Sequence, residues 1–316
     1  MHYAVRRVAV AIGLVWFVAT FVFLAIHLVP GDAAEMLLSQ GGVAPDPATV
    51  AELREKLGLD QPLLRQYVKY MTALLGGDLG SSLVDDHPVA AEIALRLPRT
   101  LELIGAAAVL ALITGLPAGT LAALRAGSAG DRALSAASGI ALSIPVFVIG
   151  TLAILVFAQK LHLVPAGGYV PLARDPLGHV AVLAMPAATI AVGLGAIMFR
   201  ITRSSVLDVL GRDHVRSARA RGIAPRRIIM HHVLRNALIP ILTNLGILLP
   251  GVFVGSFLLE VFFSIPGLGR EIITAVNRSD FPVIKAVTVY LAVFTMIINL
   301  AVDVLYKVVD PRVSFK

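Results

Sequence analysis

The sequence predicts an all-α integral membrane protein with six transmembrane helices. Three observations carry this: the composition, a series of long charge-free apolar runs, and the placement of the basic residues. Of 316 residues, 57% are hydrophobic and 15% charged, whereas a soluble domain is nearer half apolar and a quarter charged. This balance excludes a soluble globular enzyme, a disordered chain and a nucleic-acid-binding domain. The net charge of +7 becomes a question of where the basic residues sit, because cytoplasmic loops collect Lys and Arg. There is no cysteine, which excludes disulfides, thiolate metal sites and cysteine nucleophiles.

A bilayer core of roughly 30 Å takes about 20 apolar residues in a helix. Charge-free runs of that order are Val8–Val29, Leu103–Leu124, Ala133–Ala158, Val180–Phe199 and Ala237–Leu259, with Ala286–Val302 extending back to Phe281. They place the spans at 8–29, 100–124, 133–159, 179–210, 237–260 and 281–306. A membrane barrel would show short alternating segments instead. The first run follows Arg6-Arg7 but is too long for the apolar region of a signal peptide. Val29–Asp32 also offers no small-x-small cleavage site, so an uncleaved anchor is expected.

Charge sets the expected sidedness. With the N-terminus inside, the inner positives are Arg6 and Arg7, Arg125 and Arg132, nine arginines from Arg200 to Arg235, and Lys307, Arg312 and Lys316. The short outer loops carry few basic residues, as the positive-inside rule requires. Both termini are therefore expected in the cytoplasm.

One sizeable extracytoplasmic insertion, 30–99, follows the first span, and a shorter outer loop covers 261–280. In the insertion, Asp46-Pro47 reads as an N-cap followed by proline at the first helical position. Val50, Leu53 and Leu57 then recur at helical spacing and Gly58 stops the helix. A second helix starts near Pro62, with Leu63, Tyr67, Tyr70, Met71 and Leu74 on one face, and ends at Gly76-Gly77. These amphipathic helices must bury their apolar faces, against each other and the spans or against an external partner. Pro117, Pro145, Pro186, Pro240 and Pro250 fall within spans, and Gly115-x-x-x-Gly119 and Gly251-x-x-x-Gly255 permit close helix approach.

The most informative stretch is the loop 211–236. Asp213 can cap or complement a helix N-terminus. Ala218 and Ala220 make that helix slim, and Gly222 suits a left-handed cap. Pro225 suits the first turn of a second helix, whose Ile228, Ile229, Val233 and Leu234 form a stripe leading into the fifth span. A topogenic loop with a solvated basic face is one reading. A stiff knob that passes force from a cytoplasmic partner to two spans is the other.

The loop and several separated motifs resemble the bacterial ABC importer permeases of the dipeptide/oligopeptide/nickel family, first-permease type. The motifs are Leu28-Val-Pro-Gly-Asp32, Leu57-Gly-Leu-Asp-Gln-Pro62, Gly77-Asp-Leu-Gly-Ser-Ser82, Leu97-Pro-Arg-Thr-Leu101, Val215-Arg-Ser-Ala-Arg-Ala-Arg-Gly222, Leu234-Arg-Asn-Ala-Leu-Ile-Pro240, Val261-Phe-Phe-Ser-Ile-Pro-Gly-Leu-Gly269 and Asp310-Pro-Arg312. The Glu-Ala-Ala that names the family's coupling loop is absent; Arg216-Ser-Ala218 stands there, so no glutamate is assigned a coupling role. The resemblance implies a type I ABC importer transmembrane domain in the bacterial inner (plasma) membrane. It implies coupling to an ATPase subunit through Arg216, Ser217, Ala218, Arg219, Ala220, Arg221 and Gly222, with Gly222 and Pro225 as elbow and helix restart. The implied partners are a second, different permease chain, two cytoplasmic ATPase subunits and an extracytoplasmic substrate-binding protein. The implied cargo is di- or oligopeptides, with nickel, metal chelates or glutathione-like solutes as alternatives.

The chain itself shows no motif for chemistry. A phosphate loop needs Gly-Lys-Ser/Thr, and none of the six lysines follows a glycine. ATP and magnesium are therefore expected on partner subunits, with no cofactor here and no catalytic residue. His231 and His232 are adjacent and project to different sides of a helix, while His87, His162 and His179 fall outside the spans or at their outer edge; no metal site is expected. Glu102, Asp208, Glu260, Lys285 and Asp303 lie at span boundaries, and Asp303 is spaced to pair with Lys307. The absence of mid-span charge argues against a self-sufficient secondary transporter or channel. It suggests that selectivity resides mostly in a partner.

Overall fold

The computed structural model describes residues 2–28, 33–38 and 46–309. The elements are helical, apart from an isolated bridge between Ser81 and Pro88. In order they are α1 (His2–Leu28), α2 (Ala33–Leu38), α3 (Pro47–Leu57), α4 (Leu63–Leu75), α5 (Val89–Leu124), α6 (Ala129–Ser143) and α7 (Val146–Ala153). A π-helical segment, Ile154–Lys160, continues α7. Then come α8 (Pro176–Leu210), α9 (Asp213–Ala220), α10 (Pro225–Arg227), a second π-helical segment (Ile228–Leu234), α11 (Arg235–Phe262), α12 (Leu268–Asn277) and α13 (Phe281–Val309). The Asp310-Pro-Arg312 segment and Val29–Asp32 lie outside the described residues, as do the side chains of Asp303 and Lys307.

Among the described residues, five helices are long and apolar enough to cross a membrane, and a sixth span results when one bent pair is taken together. That pair replaces the straight span expected over 133–159. Ala129–Ser143 and Val146–Lys160 meet at 97°. Pro145 causes the break: it lacks an N–H and drives the preceding residue out of the helical region, and Ile144 is extended at φ −92 and ψ 125. Pro117, Pro186, Pro240 and Pro250 instead lie within continuous helix. The second apolar run also understates its helix, which starts at Val89 rather than near residue 100. Glu92 and Arg96 are good helix formers without being apolar, so hydropathy alone could not place this start.

The described residues fall into two compact units, one drawn from 1–98 and 267–297, the other from 99–266 and 298–314. In the first, Asp46 caps α3 by accepting from the Ala48 N–H at 3.4 Å. The helix ends at Gly58 with φ 70. Gly58 N–H donates to the Glu55 carbonyl and Leu59 N–H to the Arg54 carbonyl, the paired bonds that close a glycine C-terminus. α3 packs with α2, and α4 packs on α1 through Tyr67, whose hydroxyl lies 2.8 Å from Thr20 Oγ1. Arg96 joins Glu92 at 2.6 Å and Glu271 of α12 at 2.9 Å. Burial pushes the Glu271 carboxyl above its ordinary range, against the pull of Arg96.

In the second unit α8 is the most deeply buried long helix, with a core that includes Leu194, Met198, Val206 and Val209. α5 crosses it at the first glycine pair. A Cβ on Gly115 would stand 2.7 Å from the Gly195 carbonyl oxygen, and one on Gly119 would stand 2.6 Å from that of Phe199. A Cβ on Gly251 or Gly255 of α11 would meet nothing within 4 Å.

Candidate functional site

The loop singled out in the sequence folds as two helices around a glycine turn. α9 begins after Arg212, whose backbone is extended at φ −75 and ψ 150. Asp213 makes no capping hydrogen bond; it stands in the first turn, 97% exposed, 3.7 Å from Arg216. Its contribution is charge complementarity to the helix N-terminus rather than a cap. At the other end Gly222 adopts φ 72. Gly222 N–H donates to the Arg219 carbonyl at 2.9 Å and Ile223 N–H to the Ala218 carbonyl at 3.3 Å. This pair of bonds is the Schellman closure, which needs a left-handed residue at the position Gly222 occupies. Two residues later Ala224 is extended, Pro225 takes the first helical position, and Ile228 N–H reaches the Ala224 carbonyl at 3.1 Å. The restarted helix then runs unbroken to Phe262.

The faces of α9 divide sharply. Val215 and Ala218 are fully buried. They belong to one apolar cluster with Val206 and Val209 of α8, Ile228 and Val233 of the π-helical segment, and Ala237 and Ile241 of α11. Arg216, Ser217, Arg219, Ala220, Arg221, Gly222 and Pro225 are exposed, as are Arg226 and Arg227. The structure therefore brings six of the seven residues assigned to coupling onto an outward surface and turns Ala218 inward. The Ala218 methyl group fits α9 to its own chain. The alternation follows from 3.6 residues per turn, since Val215 and Ala218 share a face that Ser217 does not. Because the chain has no cysteine of its own, accessibility can be read without background. Ser217→Cys is expected to react with a maleimide reagent in the folded protein and Ala218→Cys to stay unlabelled until it is denatured.

A second feature left no trace in the motifs. Asp131 accepts from Arg203 twice, at 2.6 and 2.8 Å, and from the Gly127 N–H at 2.8 Å. Ser128 accepts from the Asp131 N–H at 3.2 Å and so caps α6, while the Asp131 carboxylate clamps α6 to α8 through the planar fork that only arginine supplies. Arg200 adds a bond to Ser138 at 3.2 Å. Removing the carboxylate leaves a guanidinium without its partner. Asp131→Ala is expected to lower the thermal unfolding midpoint in detergent, and Arg203→Lys to lower it less. Near the other end of α8, Arg99 lies 4.9 Å from the Tyr169 ring centroid, and Tyr169 donates to Glu102 at 2.9 Å. Burial, reinforced by Glu102, raises the Tyr169 phenol above its usual range. Thr100 donates to the fully buried Glu260 at 2.6 Å.

Among the described residues no group of three His, Asp or Glu side chains could hold a metal. His179 is buried, with its Nδ1 2.7 Å from the Val170 carbonyl oxygen, a structural role. His87, His162 and His231 are exposed.

Among the described residues, five apolar helical spans, or six with the bent pair, and a basic two-helix loop describe an integral membrane protein. The family described as binding-protein-dependent transport system inner membrane component matches residues 115–315, and its N-terminal companion matches residues 1–104. Among similar proteins, a probable peptide ABC transporter permease, y4tP of Sinorhizobium fredii, is 37% identical over 313 residues, 99% of each chain. The glutathione transport system permease GsiC of Escherichia coli K12 is 36% identical over 316 residues, the whole of both. In fold the chain resembles the inward-facing MetNI methionine ABC transporter (TM-score 0.55, 19% identity, 71% of this chain and 98% of that one). It also resembles an amino acid ABC transporter solved with histidines (TM-score 0.53, 16% identity, 69% and 94%). The chain belongs to the binding-protein-dependent transport family and is an ABC importer permease, a multi-pass inner-membrane subunit.

Proposed function

We propose that this chain forms half of an ATP-driven import path for small peptides, tripeptides such as glutathione included, across the bacterial inner membrane. α9 is the coupling element. Its exposed face, Arg216, Ser217, Arg219, Ala220 and Arg221, docks on one of two cytoplasmic ATPase subunits, which bind the ATP and magnesium. Both termini then lie in the cytoplasm, and an extracytoplasmic binding protein delivers the solute. The observation that carries this reading is the fusion of α9 to α8 and α11 through one buried cluster, while its arginines face outward. A displacement of α9 must move two spans, because a packed interior transmits strain rather than absorbing it. The names of the peptide and glutathione relatives support the solute class.

A second permease, a different chain, completes the path. The open row Ile247, Gly251, Val254, Gly255 and Leu258 of α11 is the face assigned to it, since small residues let two helices approach closely in a membrane. The test is copurification with the neighbouring gene products, followed by ATP-dependent uptake into proteoliposomes. Dipeptides, longer peptides and glutathione are offered separately, with nickel as a contrasting cargo. Uptake of a peptide that requires both ATP and the binding protein is expected. Uptake that persists without ATPase subunits would overturn the assignment, and transport of nickel alone would overturn the solute class.

A further inference from the structure

α4 is apolar on more than the face it packs with. The packed face meets α1. Phe23 stacks on Tyr70 at 5.6 Å and meets Tyr67 edge-on at 5.4 Å, and His27 lies 3.1 Å from Gln66. A second face carries Leu64, Val68 and Leu75, which are 74%, 52% and 84% exposed. Arg65 and Lys69, also exposed, follow on the far side of that row. Water-facing helices do not normally leave so continuous a row open.

The depth of α4 says what covers it. The apolar span of α1 ends at Leu28, and Thr20, which touches Tyr67, lies about 12 Å before that end at 1.5 Å per residue. Phe23, which touches Tyr70, lies about 7.5 Å before it. α4 therefore crosses α1 at the level of the span's last turns. An independent marker agrees. A cavity of about 500 Å³ beside α4 is walled by Phe23, Ile26 and His27 from the end of that span and by Phe281, Pro282 and Lys285 from the start of the α13 span. Apolar side chains make up much of its wall, with Lys69 and Lys285 as cations and, among the described residues, Asp78 as the one acid. Asp78 already accepts from the Gly80 N–H at 2.8 Å. Lys285 Nζ stands 5.3 Å from the Tyr70 ring centroid and has no carboxylate partner among the described residues. The Tyr70 hydroxyl is buried with no hydrogen-bond partner.

We infer that this corner is a phospholipid site. α4 lies in the leaflet that the end of α1 reaches, with Leu64, Val68 and Leu75 among the acyl chains. The cavity holds an anionic phospholipid, its tail against Phe23, Leu57 and Leu74 and its phosphate met by Lys69 and Lys285. An amphipathic helix at an interface takes this arrangement, an apolar row immersed and basic residues at headgroup level.

The single native tryptophan, Trp16, is 55% exposed within the α1 span and supplies an in-membrane reference. The full-length chain is reconstituted in phosphatidylcholine vesicles containing brominated phosphatidylglycerol. In a Trp16→Phe background, Leu64→Trp and Leu75→Trp are expected to be quenched by bromolipid as Trp16 is and to resist aqueous iodide. Glu52→Trp on α3 is expected to show the reverse. Quenching at 64 and 75 by iodide but not by bromolipid would overturn the placement, as would iodide quenching that disappears only when a soluble binding protein is added. Lys285→Gln is expected to weaken the preference for phosphatidylglycerol over phosphatidylcholine about fivefold, the effect of the ~1 kcal/mol that one lysine contributes beside anionic headgroups. Lys285→Arg is expected to keep the preference and serves as the folding control. An unchanged preference in Lys285→Gln would overturn the headgroup assignment.

Discussion

Gly119→Val is expected to separate α5 from α8 and deprive the chain of a stable fold. The Cβ alone would stand 2.6 Å from the Phe199 carbonyl oxygen, 2.8 Å from Thr202 Cβ and 3.1 Å from the Arg203 nitrogen. Gly115 is equally tight, at 2.7 Å from the Gly195 oxygen and 2.8 Å from Met198 Cβ. Three of these five contacts are to backbone of the most buried long helix, which cannot swing aside as a side chain tip would. Overpacking a tight site costs roughly 1–3 kcal/mol, and the double variant Gly115→Val/Gly119→Val is expected to exceed what a membrane subunit tolerates. Loss of the monodisperse peak and a lowered unfolding midpoint in detergent are the readouts. Gly251→Val/Gly255→Val is the matched comparison. A Cβ on either glycine would meet nothing within 4 Å, so the isolated subunit should keep its midpoint while recovery with a second permease falls. Equal loss in both double variants would contradict the packing described for α5 and α8.

Gly222→Val is expected to leave the subunit assembled but to uncouple it. Nothing stands within 4 Å of a Cβ there, so the penalty is conformational. A β-branched residue at φ 72 faces about 1–2 kcal/mol of left-handed strain, enough to open the Schellman bonds and let α9 tilt away from the restarted helix. Gly222→Asn separates this cause from a simple need for a small residue, because asparagine adopts the left-handed region more readily. Valine should abolish uptake in proteoliposomes while basal ATP hydrolysis persists, and asparagine should retain a substantial share of uptake. If asparagine failed as completely as valine, the elbow would matter for its surface and not for its backbone.

These contrasts also mark what the sequence made legible. The membrane runs were readable because an apolar helix of bilayer length has few other uses. Gly222 was readable because a slim helix before it and Pro225 after it leave little other than a left-handed turn. The two glycine pairs were indistinguishable: the same spacing is jammed against α8 at Gly115 and Gly119 and open at Gly251 and Gly255, and only the partner's backbone decides which. The break at Pro145 was hidden for a related reason. Five prolines fall in spans, and whether one bends a helix by 97° depends on what packs around it. The Asp131–Arg203 clamp joins residues 72 positions apart, with no local signal at either end. The motif names Ala218 among the coupling residues without naming faces; the burial of Val215 one turn earlier identifies the inward side that Ala218 shares.

The two closures that follow α9 have a mechanical consequence. A loop held only at its ends would behave as a spring, and a load on its arginines would be dissipated in bending. Here the Schellman turn at Gly222 and the proline restart leave little slack in the connection, while Val215 and Ala218 seat the helix in solid packing. The element has low compliance: a load on its outer face would arrive at α8 and α11 as motion and not as local melting.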